Sequence, residues 1–402
     1  MSELLDAGAA MTESRLRAVD WSVMVLLSFD LFFVLFSSYP ANSFRFFEGM
    51  LLASVSYLLT RLSIHTPIRI NTLSGLLSAA GLYITFSSLS RFGQSVQKLV
   101  ENGLTDLVDF RAQLLVPVRS WIPGEGFTAL LLLLPVACAP AAYLWRSGRS
   151  AIAGIAFLSP VLILAALLLS FSRAVFGASV IFLLSAIILM LLYRVVTRKE
   201  GAILICGMMG CLLLVLLCEA AWYPNVLTAY LGHHASQLRS TQGRFEIWHR
   251  SLALVREHPL TGVGPSNAGL FLLSSDSADE TTGFAGRAFS LPIQVLVEQG
   301  VLGFALYSFL LIVAALEFHR TMRTWKADGT HLETHSKRKQ KQVLHTNRGV
   351  AAQKAMKSCF AAGILAVLLR ELTYSSLFEH TATLAMMFAL IALACKEVSS
   401  AS

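Results

Sequence analysis

The chain has 402 residues, 55% of them hydrophobic and only 14% charged, with a formal net charge of +8. Its mean hydropathy of +0.64 reflects more apolar surface than a soluble domain can bury, gathered in runs of about 20 residues, the length that crosses a bilayer. These values exclude a soluble globular enzyme and point to a multi-span membrane protein.

The first apolar run starts at Trp21, behind Arg15 and Arg17. It lacks a small-residue cleavage site after a short core, so it reads as a retained span. Further spans are expected at 46–60, 70–89, 127–145, 151–170, 174–193, 202–219, 291–318, 359–374 and 381–395. The expected fold is an all-α polytopic bundle of about ten transmembrane helices. The alternating pattern of a membrane barrel is absent, and lipid leaves helices as the remaining solution for the backbone.

Under this span count Arg15, Arg17, Arg61, Arg69, Arg146, Arg149, Arg194, Arg198 and Lys199 fall on one side, joined by the Lys and Arg residues of 319–357. Short basic loops stay in the cytoplasm, which places both termini there. The chain then divides into an N-terminal bundle at 1–221, a large, partly helical outward-facing loop at 222–290, and C-terminal helices at 291–402 with a basic cytoplasmic loop at 319–357. Apolar residues spaced along 91–113 predict a second outward feature, a helix lying in the interface. The basic run at 337–341 follows from topology, so no nucleic-acid partner is expected; contact with membrane lipids is.

The six cysteines lie in or beside spans without metal-ligand spacing and read as small apolar fillers. No phosphate-binding glycine loop, nucleotide fingerprint or long repeat is present.

The chemistry gathers in 222–290, which holds Arg239, Arg244, His249, Arg250, Arg256 and Arg287. Within it, Thr241 to His258 reads as an amphipathic helix with Phe245, Trp248, Leu252 and Val255 on one face, stopped by Pro259. Arg173 follows Ser170-Phe-Ser172 in a tight outward turn. Arginines at an interface commonly snorkel, but Arg173 shares its side with Arg244, and two planar guanidinium forks suit a lipid-linked phosphate or pyrophosphate. Asp30 and Glu298 are ionisable groups inside expected spans, where such groups face a bundle interior or a wet cavity. Arg370 and Glu371 can neutralise each other.

Four pieces in order, Ser172-Arg173-Ala174, Gln242-Gly-Arg244-Phe-Glu-Ile-Trp248, Pro259-Leu-Thr-Gly-Val-Gly264-Pro-Ser-Asn267 and Glu298-Gln-Gly300-Val-Leu-Gly303, together resemble the O-antigen ligase and polymerase superfamily. The resemblance runs from Phe171 to about Val313. It implies a metal-independent, cofactor-free glycosyltransferase of the GT-C type on the periplasmic face of a bacterial inner membrane. Such an enzyme moves a glycan from undecaprenyl pyrophosphate to a hydroxyl acceptor, either lipid A-core or another lipid-linked repeat unit. Carried over, Arg173 and Arg244 would hold the donor pyrophosphate and stabilise its charge. Arg287 and Trp248 join them as candidate substrate-binding residues, and Glu298 is the further catalytic candidate.

The sequence departs from the family where a histidine serves as the acceptor's base: that position is Phe289, followed by Ser290. Phenylalanine takes no proton. The base then comes from His233, His234 or Glu298, or catalysis rests on positioning and electrostatics, or the protein is a non-catalytic assembly partner. A transporter of the lipid-linked sugar is a further rival, against which the chain shows no paired halves.

Overall fold

The computed structural model describes residues 17–63, 69–70, 72–79, 81–83, 85–86, 90, 101, 126–168, 173–203, 206–207, 210, 213, 217, 234–273, 288, 290–324, 337–372 and 381–395. Among them it is all helical, without strands. The helices are α1 (Ala18–Leu35), α2 (Pro40–Ser63), α3 (Gly126–Arg146), α4 (Ser150–Ala156), α5 (Leu158–Leu168), α6 (Arg173–Leu192), α7 (His234–Glu257), α8 (Ala268–Leu273), α9 (Leu291–Thr324), α10 (Lys337–Glu371) and α11 (Thr381–Cys395). Four stretches are long and apolar enough to cross a membrane: Ala18–Leu35, Ser150–Leu167, Leu291–Arg323 and Arg348–Glu371. Shorter apolar helices at Leu130–Arg146, Gly177–Leu192 and Thr383–Cys395 pack among them. The interfacial helix expected at 91–113 lies outside the described residues except for position 101.

The core is built around α3, whose residues Leu130 to Leu134, Val136, Ala137 and Ala139 are all buried. It packs against α4, α5, α6, α10 and α11, so its internal Pro135 and Pro140 sit where neighbouring helices surround the backbone. α10 comes close to it: a side-chain carbon on Gly363 would stand 2.7 Å from Pro135 Cβ.

One end of the bundle collects the basic groups. Arg17 Nη1 lies 2.6 Å from Glu317 Oε1, and Arg61 Nε lies 2.8 Å from Asp20 Oδ1. Asp20 also accepts from the Tyr57 hydroxyl at 2.6 Å and from the Arg17 backbone N–H at 2.8 Å, which caps α1. Tyr193 and His319 meet at 2.7 Å, and Arg146 Nη1 donates to Glu200 at 3.0 Å. Arg17, Arg61 and Arg146, which precede or follow expected spans, thus each form an ion pair at a helix end. Lys354 and Lys357, counted in the basic loop at 319–357, belong to α10 and are buried. At the far end of α10, Arg370 and Glu371 form a buried pair at 2.6 Å. Among the described cysteines, Cys138, Cys206, Cys359 and Cys395 are free thiols.

Candidate functional site

The site is assembled where α7, the loop after it and the first part of α9 meet. The helix expected from Thr241 begins earlier, at His234, and ends at Glu257, one residue short of the expected His258 and just ahead of Pro259. Its packed face keeps Trp248 and Val255 of the expected set and loses Phe245 and Leu252. Phe245 and Leu252 point outward, at 61% and 45% exposure, while Ser251 is fully buried. Leu254 and Val255 pack with Ile293 around Val263, Ala268 and Val297. A small buried serine is what a reading of large apolar residues alone overlooks. Trp248 is held by its indole N–H, which donates to the Ala288 carbonyl at 2.7 Å, and Phe245 stands edge-on to it with centroids 5.4 Å apart.

After α7 the chain lies against α9 through backbone hydrogen bonds. Val263 N–H donates to Val297 O and Gly264 N–H to Glu298 O, both at 2.9 Å. In return Val301 N–H donates to Pro259 O at 2.9 Å and Leu302 N–H to Leu260 O at 3.3 Å. An intact helix would have these amides and carbonyls engaged within itself. They are released because α9 breaks at Gly300, whose φ of 63° and ψ of −164° are non-helical and belong to a region essentially confined to glycine. Glu298 thus stands at a docked break between 291–299 and 301–324, a different setting from two turns inside an unbroken span.

The buried Glu298 carboxylate has three donors. It accepts from the backbone N–H groups of Ser266 and Ala268 and from Gln294 Nε2. Gln294 Oε1 in turn accepts from Ala288 N–H at 2.8 Å. The loop 259–268 and the segment leading into α9 are therefore tied through one carboxylate, directly beside the position of Phe289. Gln294→Ala removes two of these bonds and is expected to lower stability by about 2 kcal/mol, read as the denaturation midpoint of purified protein; an unchanged midpoint would show that the network does not hold the segment.

A third tie comes from the α1–α2 turn. Asn267 Nδ2 donates to Ser37 Oγ at 2.7 Å and to Val263 O at 3.1 Å. Ser43 Oγ donates to Pro265 O at 2.7 Å, and Tyr39 packs edge-on against Phe271 with centroids 6.1 Å apart. Sequence reasoning missed Ser37, Ser43 and Gln294. The only hint for the serines was their place around Pro40, at the turn between two apolar runs.

Of the other candidate residues, Arg244 is half-buried on α7, about one helical turn before Trp248. Arg173 opens α6, while its side chain lies outside the described residues, as do Arg287, Phe289, His233 and the side chain of His234. His249 and His258 are exposed. The other end of α6 approaches the far end of α9, where Tyr193 meets His319. No three His, Cys, Asp or Glu side chains among the described residues are placed to hold a metal.

Residues 158–308 match the family model described as O-antigen ligase. Over that segment the chain is similar to O-antigen ligases. The segment begins in α5 and ends in α9, so it contains Arg173, Arg244, Trp248, the 259–268 loop, Glu298 and the Gly300 break. No curated protein matches the chain. Four stretches of the chain are long and apolar enough to cross a membrane, and the matched segment takes in two of them in part.

Proposed function

We propose that the protein is an inner-membrane glycosyltransferase that takes a glycan from undecaprenyl pyrophosphate on the periplasmic face and joins it to a hydroxyl acceptor. The observation that carries this reading is the coincidence of the O-antigen ligase match at 158–308 with the tied loop, Trp248 and the Arg173 end of α6. In the proposed topology about ten helices cross the membrane, 222–290 is periplasmic, and both termini are cytoplasmic. The gathering of Arg17, Arg61 and Arg146 at the opposite end from Glu298 supports that orientation.

In the reaction the acceptor oxygen bonds to the anomeric carbon as the bond from that carbon to the diphosphate oxygen breaks. Undecaprenyl pyrophosphate leaves with the bonding electron pair. Arg173 and Arg244 hold its phosphate oxygens and offset the growing charge without exchanging a proton; Arg287 and Trp248 complete the substrate side. Glu298 is already committed to three donors, and Phe289 can act as neither acid nor base. Positioning plus electrostatic assistance is therefore the favoured mechanism, with the acceptor proton passing to the departing diphosphate. Without the family histidine, the acceptor we favour is another lipid-linked repeat unit, making the enzyme a polymerase, ahead of lipid A-core and a ligase.

Purified protein in lipid, supplied with lipid-linked repeat units, is expected to release undecaprenyl pyrophosphate and form longer glycans. Binding without release would instead identify a non-catalytic assembly partner.

A further inference from the structure

The turn between α1 and α2 lies outside the segment similar to O-antigen ligases, yet two of its serines reach into the 259–268 loop. Ser43 is buried, and its hydroxyl donates to Pro265 O at 2.7 Å. A hydroxyl has one proton to give, so Ser37 is the donor in the 2.6 Å contact between the two serines. The Ser37 oxygen is then left to accept, and it does so from Asn267 Nδ2 at 2.7 Å and from the Tyr39 backbone N–H at 3.2 Å. Val263 O, 3.1 Å from the same Nδ2, fixes the amide, because only its nitrogen can meet a carbonyl. One direction of hydrogen bonding therefore runs from Asn267 through Ser37 and Ser43 to Pro265, beginning and ending in the loop.

Gly264 makes the space for this chain of bonds. At its φ of 99°, a side-chain carbon would be driven into Ser37 Oγ and stand 2.7 Å from Asn267 Nδ2. The same glycine donates its N–H to Glu298 O, and Val263 donates to Val297 O, both at 2.9 Å. The turn thus grips the loop beside the residues through which the loop docks on α9, just before the Gly300 break. Val263, Ala268 and Val297 are also the floor on which Leu254 and Val255 of α7 rest, and α7 carries Arg244 and Trp248. A shift of the loop is passed to that helix.

We propose that Ser37, Ser43 and Asn267 are positioning residues: the α1–α2 turn sets where the 259–268 loop sits against α9, and through that floor it sets where α7 presents Arg244 and Trp248. The catalytic half of the proposal rests on the transferase reading above; the mechanical half does not.

Ser37→Ala removes the one oxygen that serves Asn267, Ser43 and Tyr39, whereas Ser37→Thr keeps it. Ser38→Ala changes the exposed neighbour and is the control. Hydrogen exchange of peptides covering 259–268 is expected to rise about tenfold in Ser37→Ala, while peptides of 348–371 stay at the wild-type level and Ser37→Thr and Ser38→Ala stay within about twofold. Asn267→Asp, which sets an acceptor against an oxygen whose proton is already committed, is expected to raise exchange at least as far. Diphosphate release is expected to fall about tenfold in kcat in Ser37→Ala, at an unchanged KM for the lipid-linked donor, and to return in Ser37→Thr. Wild-type exchange across 259–268 in Ser37→Ala or Asn267→Asp, or a Ser37→Thr protein that behaves like Ser37→Ala, overturns the proposal. Raised exchange with an unchanged kcat overturns its catalytic half. If the wild type releases no diphosphate, the transferase reading fails, and the exchange measurements still decide whether the turn holds the loop.

Discussion

Gly300→Ala is expected to lower the stability of the folded protein by about 5 kcal/mol and to remove any transferase activity. The backbone at φ 63° and ψ −164° costs a non-glycine residue about 1–3 kcal/mol. The added carbon would also be driven into the carbonyl of Leu260 and to 2.7 Å from Pro259 O. Relieving that contact means moving the loop away, which breaks the bonds from Val301 N–H to Pro259 O and from Leu302 N–H to Leu260 O, at about 1 kcal/mol each. The same substitution at Gly349 is the control. It lies inside α10 and a side-chain carbon there would meet nothing within 4 Å, so Gly349→Ala is expected to be neutral or stabilising by up to about 1 kcal/mol. Denaturation midpoints of the two purified variants check the contrast; a Gly300→Ala midpoint equal to wild type would mean that α9 runs unbroken.

Much of this could be read from the residues because it is local. The apolar runs give helices, Pro259 stops α7, and the pattern Glu298-Gln-Gly300 with Gly303 marks a special backbone. What the pattern could not convey is why those glycines are there, since the reason lies in partners distant along the chain. Gly300 accommodates the carbonyls of Pro259 and Leu260, and Gly303 accommodates Gln299. Asp30 was legible as an ionisable group inside a span, yet its partner Tyr307 is 277 residues away. Ser37 meets Asn267 across 230 residues. The outward turn of Phe245 and Leu252 has a similar origin. Hydrophobic spacing finds a face, but burial is decided by what the rest of the chain covers, and there the small Ser251 is buried while Phe245 and Leu252 are not. Lys354 and Lys357 were assigned to a loop on charge, whereas the apolar stretch around them carries α10 through both.

Arg244→Ala and Arg173→Ala are each expected to reduce glycan transfer about 10²–10³-fold with protein levels unchanged, which in cells amounts to loss of lengthened or attached glycan. The size follows from the role: a guanidinium fork aimed at the diphosphate gives most of its benefit as the sugar bond breaks and charge builds on the leaving oxygens. Lysine retains the charge and lacks the fork, so Arg244→Lys should recover part of the rate and fall short of wild type. Arg250 provides the contrast on the same helix. It pairs with Glu246 at i,i+4, with Glu246 64% exposed, an arrangement worth less than about 1 kcal/mol, and Arg250→Ala should leave the rate near wild type. If both arginines grip one diphosphate, removing the second after the first should cost far less than the sum of the single losses, because the first has already lost the geometry they share. Fully additive losses in the double variant, measured as released undecaprenyl pyrophosphate, would place Arg173 and Arg244 on separate groups and dissolve the shared site.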